Sequence, residues 1–156
     1  MSWLPDPDPP SEDYGYGAFM RSTAAILIGR NTYDTAASFD RWPYGDTPVY
    51  VATSRTLHSK TSTVAPVRGT PNEMLAIVRS HTDGAVYLDG GVLIRAFAEH
   101  HLIDEMTITL VPVILGRGTP LFAGTAERQT LQLVSATPYE SGLVQLRYLP
   151  RATSSG

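Results

Sequence analysis

Cysteine is absent from this 156-residue chain, which excludes a disulfide scaffold, a thiolate nucleophile and any cysteine-ligated zinc or iron–sulfur site. That absence fits a reducing compartment. No Lys/Arg block occurs and the formal net charge is -3, so the electrostatic footprint of a nucleic-acid binder is missing too. No apolar run approaches about 18 residues, and no membrane span is expected. The opening MSWLPDPDPPSEDY has four prolines and three aspartates, with neither a basic start nor an apolar stretch. It does not read as a signal peptide, and the expected address is the cytoplasm. A G-x-G-x-x-G fingerprint is lacking, as is a G-x-S-x-G elbow around Ser54, which argues against a hydrolase triad. No internal repeat of solenoid period is visible.

What remains is a globular composition, 42% hydrophobic and 17% charged, on a chain long enough to bury a core as one domain over residues 1–150. Residues 1–11 read as an extended, proline-rich surface segment and 151–156 as a disordered tail. Tyr14 to Thr23 reads as a helix that Ser11 or Asp13 could cap. Ala24 to Gly29 is a continuous apolar run, as expected of a strand covered on both faces. A helix over Asn31 to Phe39 follows, then strands at Val49 to Thr53 and, more weakly, Ser62 to Val67. Thr70-Pro71-Asn72-Glu73 has the residue types of a capping box with proline at the first helical position. Met74, Ile77 and Val78 then share one helix face through Ser80. Ala85 to Leu88 reads as a strand and Val92 to His101 as a helix.

Beyond this point the pattern changes. Glu105 to Leu115 and Leu131 to Ala136 read as strands, and Leu143 to Tyr148 alternates. A turn around Tyr139 to Gly142 joins the last two, which read as an antiparallel hairpin. Early strands alternate with helices and late strands pair with each other. The expected fold is therefore an α/β three-layer α/β/α sandwich, a mostly parallel sheet with an antiparallel C-terminal hairpin.

Two apolar runs, AAILIGRNTY and AVYLDGGVLI, stop at glycine where a helix begins. Such a turn exposes backbone N–H groups beside the positive end of the helix dipole, and glycine lets backbone approach a ligand closely. Around the first, Gly29, Arg30, Asn31 and Thr32 read either as a phosphate clamp or as an ordinary strand-to-helix turn with a solvated arginine. Thr53, Ser54 and Arg55 follow the next strand. They suit an isolated phosphate monoester such as the 2′-phosphate of NADP, or form a plain polar loop. Asp89, Gly90 and Gly91 permit close approach to a pyrophosphate, with Asp89 read as a helix cap rather than a catalyst.

Other residues point to chemistry more weakly. His100 and His101 are adjacent, so on a helix they point about 100° apart and cannot chelate one metal. With His58 and His81 in loops, no metal site is expected. Asp6, Asp8, Glu12 and Asp13 read as solvated carboxylates, although a buried one could protonate a substrate. Trp3, Trp42 and Tyr44 could stack on a planar ring, but packing is the commoner use of such side chains. Gly116-Arg117-Gly118-Thr119-Pro120 is equally a structural turn or a substrate flap.

GRNTY, the TSR after the next strand, YLDGG and LIDEMTITLVPVILGRGTPLF occur in an order that resembles the dihydrofolate reductase superfamily. Within it the chain is similar to the standalone proteins related to the reductase domain of riboflavin-biosynthesis enzymes, the RibD C-terminal-like branch, over about Trp3 to Pro150. The resemblance implies a central sheet of roughly eight strands, NADPH as hydride donor, and a small heterocyclic or conjugated substrate. The activity implied is that of the 5-amino-6-(5-phosphoribosylamino)uracil reductase and dihydrofolate reductase group. The alternatives are an NADP(H)-binding protein without turnover and a dimeric structural relative. By position, Gly29 to Thr32 would face the adenosine side and pyrophosphate, and Ser54 and Arg55 the 2′-phosphate. Gly90, Gly91, Val92 and Leu93 would cradle the diphosphate near the nicotinamide. No catalytic residue is identified, and a homodimer through the late strands is implied. Members of this branch begin with an apolar strand running into a motif like Ser-Leu-Asp-Gly, which is missing before Trp3. The gap would leave unpaired backbone on the two strands that flank it; the expectation is a start upstream of Met1, the alternatives being a partner chain in the gap or a compromised protein.

Overall fold

The computed structural model describes residues 11–59, 61–122 and 128–151. The chain divides into two compact units, one of Gly17–Leu102 and one of the described residues before Gly17 and from Ile103 onward.

In the first unit, α1 (Tyr16–Ser22) leads into β1 (Thr23–Gly29), α2 (Arg30–Ala36), β2 (Val49–Ala52) and β3 (Val64–Val67). α3 (Pro71–Arg79), β4 (Ala85–Asp89) and α4 (Gly91–Glu99) complete it. The strands form a four-stranded parallel sheet in the order β3-β2-β1-β4. β1 has the continuous apolar run of a strand buried on both faces, and Ala25, Ile26, Leu27 and Ile28 are all buried. Ile26 and Ile28 pack with Tyr33 and Ala36 of α2, Tyr44, Val49 and Val51. Leu27 points to the opposite face by strand alternation and is equally buried.

The capping box at α3 forms as its residue types require. Thr70 Oγ1 accepts from the Glu73 amide at 3.3 Å, and the Thr70 amide donates to Glu73 Oε2 at 2.7 Å. The Thr70 amide and, at 2.9 Å, the Thr70 hydroxyl both donate to Glu73 Oε2, and these bonds, the backbone one foremost, hold the Glu73 carboxyl below its ordinary pKa. Met74 and Val78 are buried, but Ile77 is exposed, so the apolar face of α3 is narrower than its sequence suggests. α1 starts two residues later than expected because Tyr14 and Gly15 both adopt positive φ, 53° and 77°, turning the chain ahead of the helix.

The second unit holds β5 (Met106–Leu110), β6 (Leu131–Pro138) and β7 (Val144–Pro150), antiparallel in the order β5-β7-β6. The β6–β7 hairpin forms around a Tyr139–Gly142 turn, in which the Gly142 amide donates to the Tyr139 carbonyl at 2.9 Å. β5 ends at Leu110, not Leu115. Pro112 lacks an N–H, and the Val113 amide donates instead to the Val111 carbonyl at 2.7 Å, which turns the chain out of the ladder. The cross-strand register places Met106, Ile108 and Leu110 with Val144, Leu146 and Tyr148, and with Leu133 and Ala136, on one face. Thr107, Thr109, Gln145, Arg147, Ser135 and Thr137 occupy the other.

Among the described residues seven strands lie in two hydrogen-bonded sheets. Among the described residues β4 pairs only with β1, and β5 only with β7. Each is an edge strand of its sheet. The expectations for the proline-rich start, Trp3, Asp6, Asp8 and the chain beyond Arg151 lie outside the described residues.

Candidate functional site

Because the four strands of the first sheet are parallel, all their carboxyl ends lie at one sheet edge. The register aligns Ile28 with Asp89, Gly29 with Ala52, and Ala52 with Val67. The segments that leave this edge are therefore Arg30-Asn31-Thr32, Thr53-Ser54-Arg55, Arg68-Gly69 and Gly90-Gly91. Connections from β1 run toward β2 and β3, while β4 lies on the other side of β1. That reversal makes the β1/β4 boundary the switch point where open α/β sheets form ligand crevices.

At this boundary the two glycine turns touch. Gly90 has φ 103°, and a Cβ there would stand 2.9 Å from Thr32 Oγ1 and 3.4 Å from the Gly29 amide nitrogen. Only glycine fits, on both backbone and packing grounds. Gly29 and Gly90 are the N-cap residues of α2 and α4, and neither helix receives a side-chain capping bond. Asp89 is not the cap expected of it. Its Oδ1 accepts from the adjacent Gly90 amide at 2.7 Å, because the positive φ at Gly90 turns the chain away before the helix begins. The first-turn amides of Gly91, Val92 and Leu93 thus have no capping side chain. Val92 is exposed and Leu93 buried in the core, so Leu93 can meet a ligand only through its backbone.

Arg30 is not simply solvated. Its Nε donates to Asp34 Oδ1 at 2.7 Å and its Nη1 to the Thr56 carbonyl at 3.1 Å. The second contact ties the start of α2 to the segment after β2. Arg55 Nη2 approaches Asp34 Oδ2 at 3.7 Å, so both arginines share one carboxylate. Thr53 Oγ1 accepts from the Arg55 amide at 3.1 Å and shapes that loop. Arg68 Nε donates to the Thr53 carbonyl at 3.1 Å. A cavity of about 290 Å³ opens here, lined by apolar Ala52, Val67 and Met74, by polar Thr53, Ser54 and Arg68, and by Gly69.

Sequence reasoning missed Asp34, Arg68 and Gly69. The Arg30–Asp34 spacing of four on a helix was a readable signal. So was V-R-G-T after β3, where an arginine and a glycine again stand between a strand and a helix start, in the reverse order to Gly29-Arg30. Trp42 and Tyr44 pack rather than stack on a ligand. Their rings meet edge-on at 5.2 Å, and Trp42 meets Tyr33 at 6.0 Å. His100 caps the C-terminus of α4, its Nδ1 lying 2.9 Å from the Ala96 carbonyl. Among the described residues no group of histidines and carboxylates is arranged to hold a metal, and no helix is long and apolar enough to cross a membrane.

Comparison with known proteins adds independent findings. The RibD C-terminal domain family matches residues 15–145. An uncharacterized protein of Bacillus subtilis strain 168, YwjB, is 28% identical over 139 residues, covering 88% of this chain and 79% of that protein. A crystal structure from Shewanella sp. PV-4, of a protein assigned provisionally to riboflavin biosynthesis, is 31% identical. It superposes with a TM-score of 0.86 over 97% of this chain and 88% of that one. A pyrimidine reductase-like protein of Corynebacterium diphtheriae shares the fold at TM-score 0.60 and 13% identity, over 92% of this chain and 84% of its own.

Proposed function

The chain belongs to the RibD C-terminal domain family, whose fold is dihydrofolate reductase-like, and on that premise we propose that it is an NADPH-dependent reductase of a small heterocyclic or conjugated substrate. The observation that carries this reading is the convergence at one sheet edge of Gly90 on Gly29 and Thr32, and of Arg30 and Arg55 on Asp34. The donor set fits the cofactor's phosphates. Two guanidinium groups beside Ser54 suit a phosphate monoester, which takes charge-assisted and paired hydrogen bonds from arginine. The bare amides at the start of α4, beside a turn with no side chain in the way, suit the diphosphate. The cavity nearby is lined in part by Ala52, Val67 and Met74, which suit apolar contact with a flat base. When bound, the reduced nicotinamide supplies the hydride.

The chain's own part is to bind and orient. Gly90 and Gly91 let backbone approach, Thr32 adds a hydroxyl at the switch point, and the arginines discriminate the 2′-phosphate from a 2′-hydroxyl. The described groups at this edge are guanidinium, hydroxyl and amide donors, with Asp34 and Asp89 already hydrogen-bonded. The absence of an assigned proton donor among them favours binding without turnover as the second reading.

A homodimer is part of the proposal. The apolar face of the antiparallel sheet leaves Leu110 and Leu133 53% and 51% exposed, and Ile114 just beyond β5 is 97% exposed. A second copy would cover that face.

The test is a titration of the purified protein with NADPH and NADH, read by thermal shift, followed by reduced-nicotinamide oxidation with candidate acceptors. NADPH-selective stabilisation with turnover supports the reductase, and stabilisation without turnover supports the second reading. Stabilisation by neither nucleotide defeats both. Arg55→Ala should weaken NADPH binding about tenfold, the scale of one charge-assisted hydrogen bond, and leave NADH binding unchanged.

A further inference from the structure

The carboxylate of Asp34 stands between the two arginines most directly concerned with the phosphate monoester, yet grips them unequally. Arg30 Nε is held at 2.7 Å, a full hydrogen bond, while Arg55 Nη2 lies at 3.7 Å, within ion-pair range only. Burial follows the same order. The Arg30 side chain is 22% exposed, Asp34 46% and Arg55 62%. Arg30 is pinned a second time through Nη1 to the Thr56 carbonyl. Its Nη2 makes no hydrogen bond among the described residues. One guanidinium is therefore fixed at two points and the other is held loosely near it.

We propose that Asp34 is a positioning residue for the 2′-phosphate. It fixes Arg30 as a rigid wall and keeps Arg55 poised as a releasable arm. The inference rests on the cofactor reading above and deepens it. Two neighbouring guanidinium groups repel each other, and a long exposed arginine side chain loses rotamer freedom when it docks. A shared carboxylate counters the repulsion and restricts both side chains before the ligand arrives, which is preorganisation. A phosphate monoester can take Arg55 by exchanging a 3.7 Å ion pair for a direct bond, while Arg30 keeps its 2.7 Å bond. The carboxylate also repels the arriving phosphate, so Asp34 has two opposed effects. They separate by substitution. Asparagine keeps the acceptor oxygen for Arg30 Nε and removes the charge, whereas alanine removes both.

The experiment measures dissociation constants for NADPH and NADH by calorimetric titration of the wild type, Asp34→Asn and Asp34→Ala. Asp34→Ala should weaken NADPH about fivefold, the scale of an exposed ion-pair coupling, and leave NADH within about twofold. Asp34→Asn should bind NADPH at least as tightly as the wild type. The inference is overturned if Asp34→Ala binds NADPH as tightly as the wild type, since Asp34 would then be a competing charge only. It is overturned equally if the alanine variant weakens both nucleotides in parallel, the mark of a structural role in α2. A wild type that does not prefer NADPH over NADH defeats the 2′-phosphate reading itself, and this inference with it. That outcome is visible before any variant is made.

Discussion

The parallel sheet and the antiparallel sheet of this chain treat their apolar residues in opposite ways. In β1 four consecutive residues from Ala25 to Ile28 are buried, and no other described strand is so fully covered. In β6 every residue after Leu131 is exposed, Leu133 and Val134 included. A parallel sheet must be covered on both faces, because the crossovers that connect its strands lie over them. An antiparallel hairpin needs no crossover, so its cover has to come from elsewhere. The difference separates two jobs. The parallel unit contains both its own core and every candidate cofactor-binding residue. The antiparallel unit has sorted its side chains into an apolar and a polar face.

The contrast can be broken most forcefully by truncating one leucine in each unit. Leu27→Ala removes a fully buried side chain from β1 and should cost about 3 kcal/mol, lowering the unfolding midpoint by roughly 6–12 °C. Leu133→Ala should cost less than about 0.5 kcal/mol in dilute protein, the usual effect at an exposed position. Urea titrations of both variants check the difference. Equal losses in dilute protein would mean that the two sheets are covered alike.

Much of the parallel unit was legible because its signals are local. The apolar run at β1 states that both faces are buried, and Thr70-Pro71-Asn72-Glu73 states where α3 begins. The hairpin of β6 and β7 was legible from alternation around one turn. The termination of β5 was in plain view at Pro112 and was overridden by the apolar residues beyond it. Asp89 was misread because residue type suggested a cap, whereas the positive φ of Gly90 decides where the carboxylate can reach. Asp34 illustrates the harder limit. Its bond to Arg30 follows from helix spacing, but Arg55 meets it only through the pairing of β1 with β2. A shared counterion between distant segments leaves no trace in either one.

If a second copy covers the apolar face, charge placed on that face should act on association before it acts on folding. Leu133→Asp replaces a half-exposed leucine opposite Tyr148. Burying one leucine contributes about 1.5–3 kcal/mol, so the dimer dissociation constant should rise about tenfold or more. Size-exclusion chromatography with light scattering, run over a dilution series, reads this directly. A wild type that stays monomeric at every concentration removes the homodimer from the proposal and leaves the cofactor reading intact.

The smallest effect is expected on the polar face of the same sheet, where it sharpens the contrast between the two faces. Arg147 Nε and Nη2 donate to Glu105 Oε1 and Oε2, both at 2.6 Å, in a paired arrangement. These hydrogen bonds from Arg147 hold the Glu105 carboxyl below its ordinary pKa, and the same bonds raise the Arg147 pKa. A carboxyl whose folded pKa is depressed contributes stability above its unfolded pKa and loses that contribution as pH falls through the folded value. Glu105→Gln should therefore be slightly less stable than the wild type near neutral pH, and the two should converge below about pH 4. Both side chains are nearly half exposed, so solvent and salt screen the pair and the difference stays small. Thermal unfolding at several pH values and two protein concentrations supplies the check. Because the pair lies on the face opposite Leu133, its contribution should not change with concentration. If it does, the polar face is also buried by association, and the division of labour between the two faces fails.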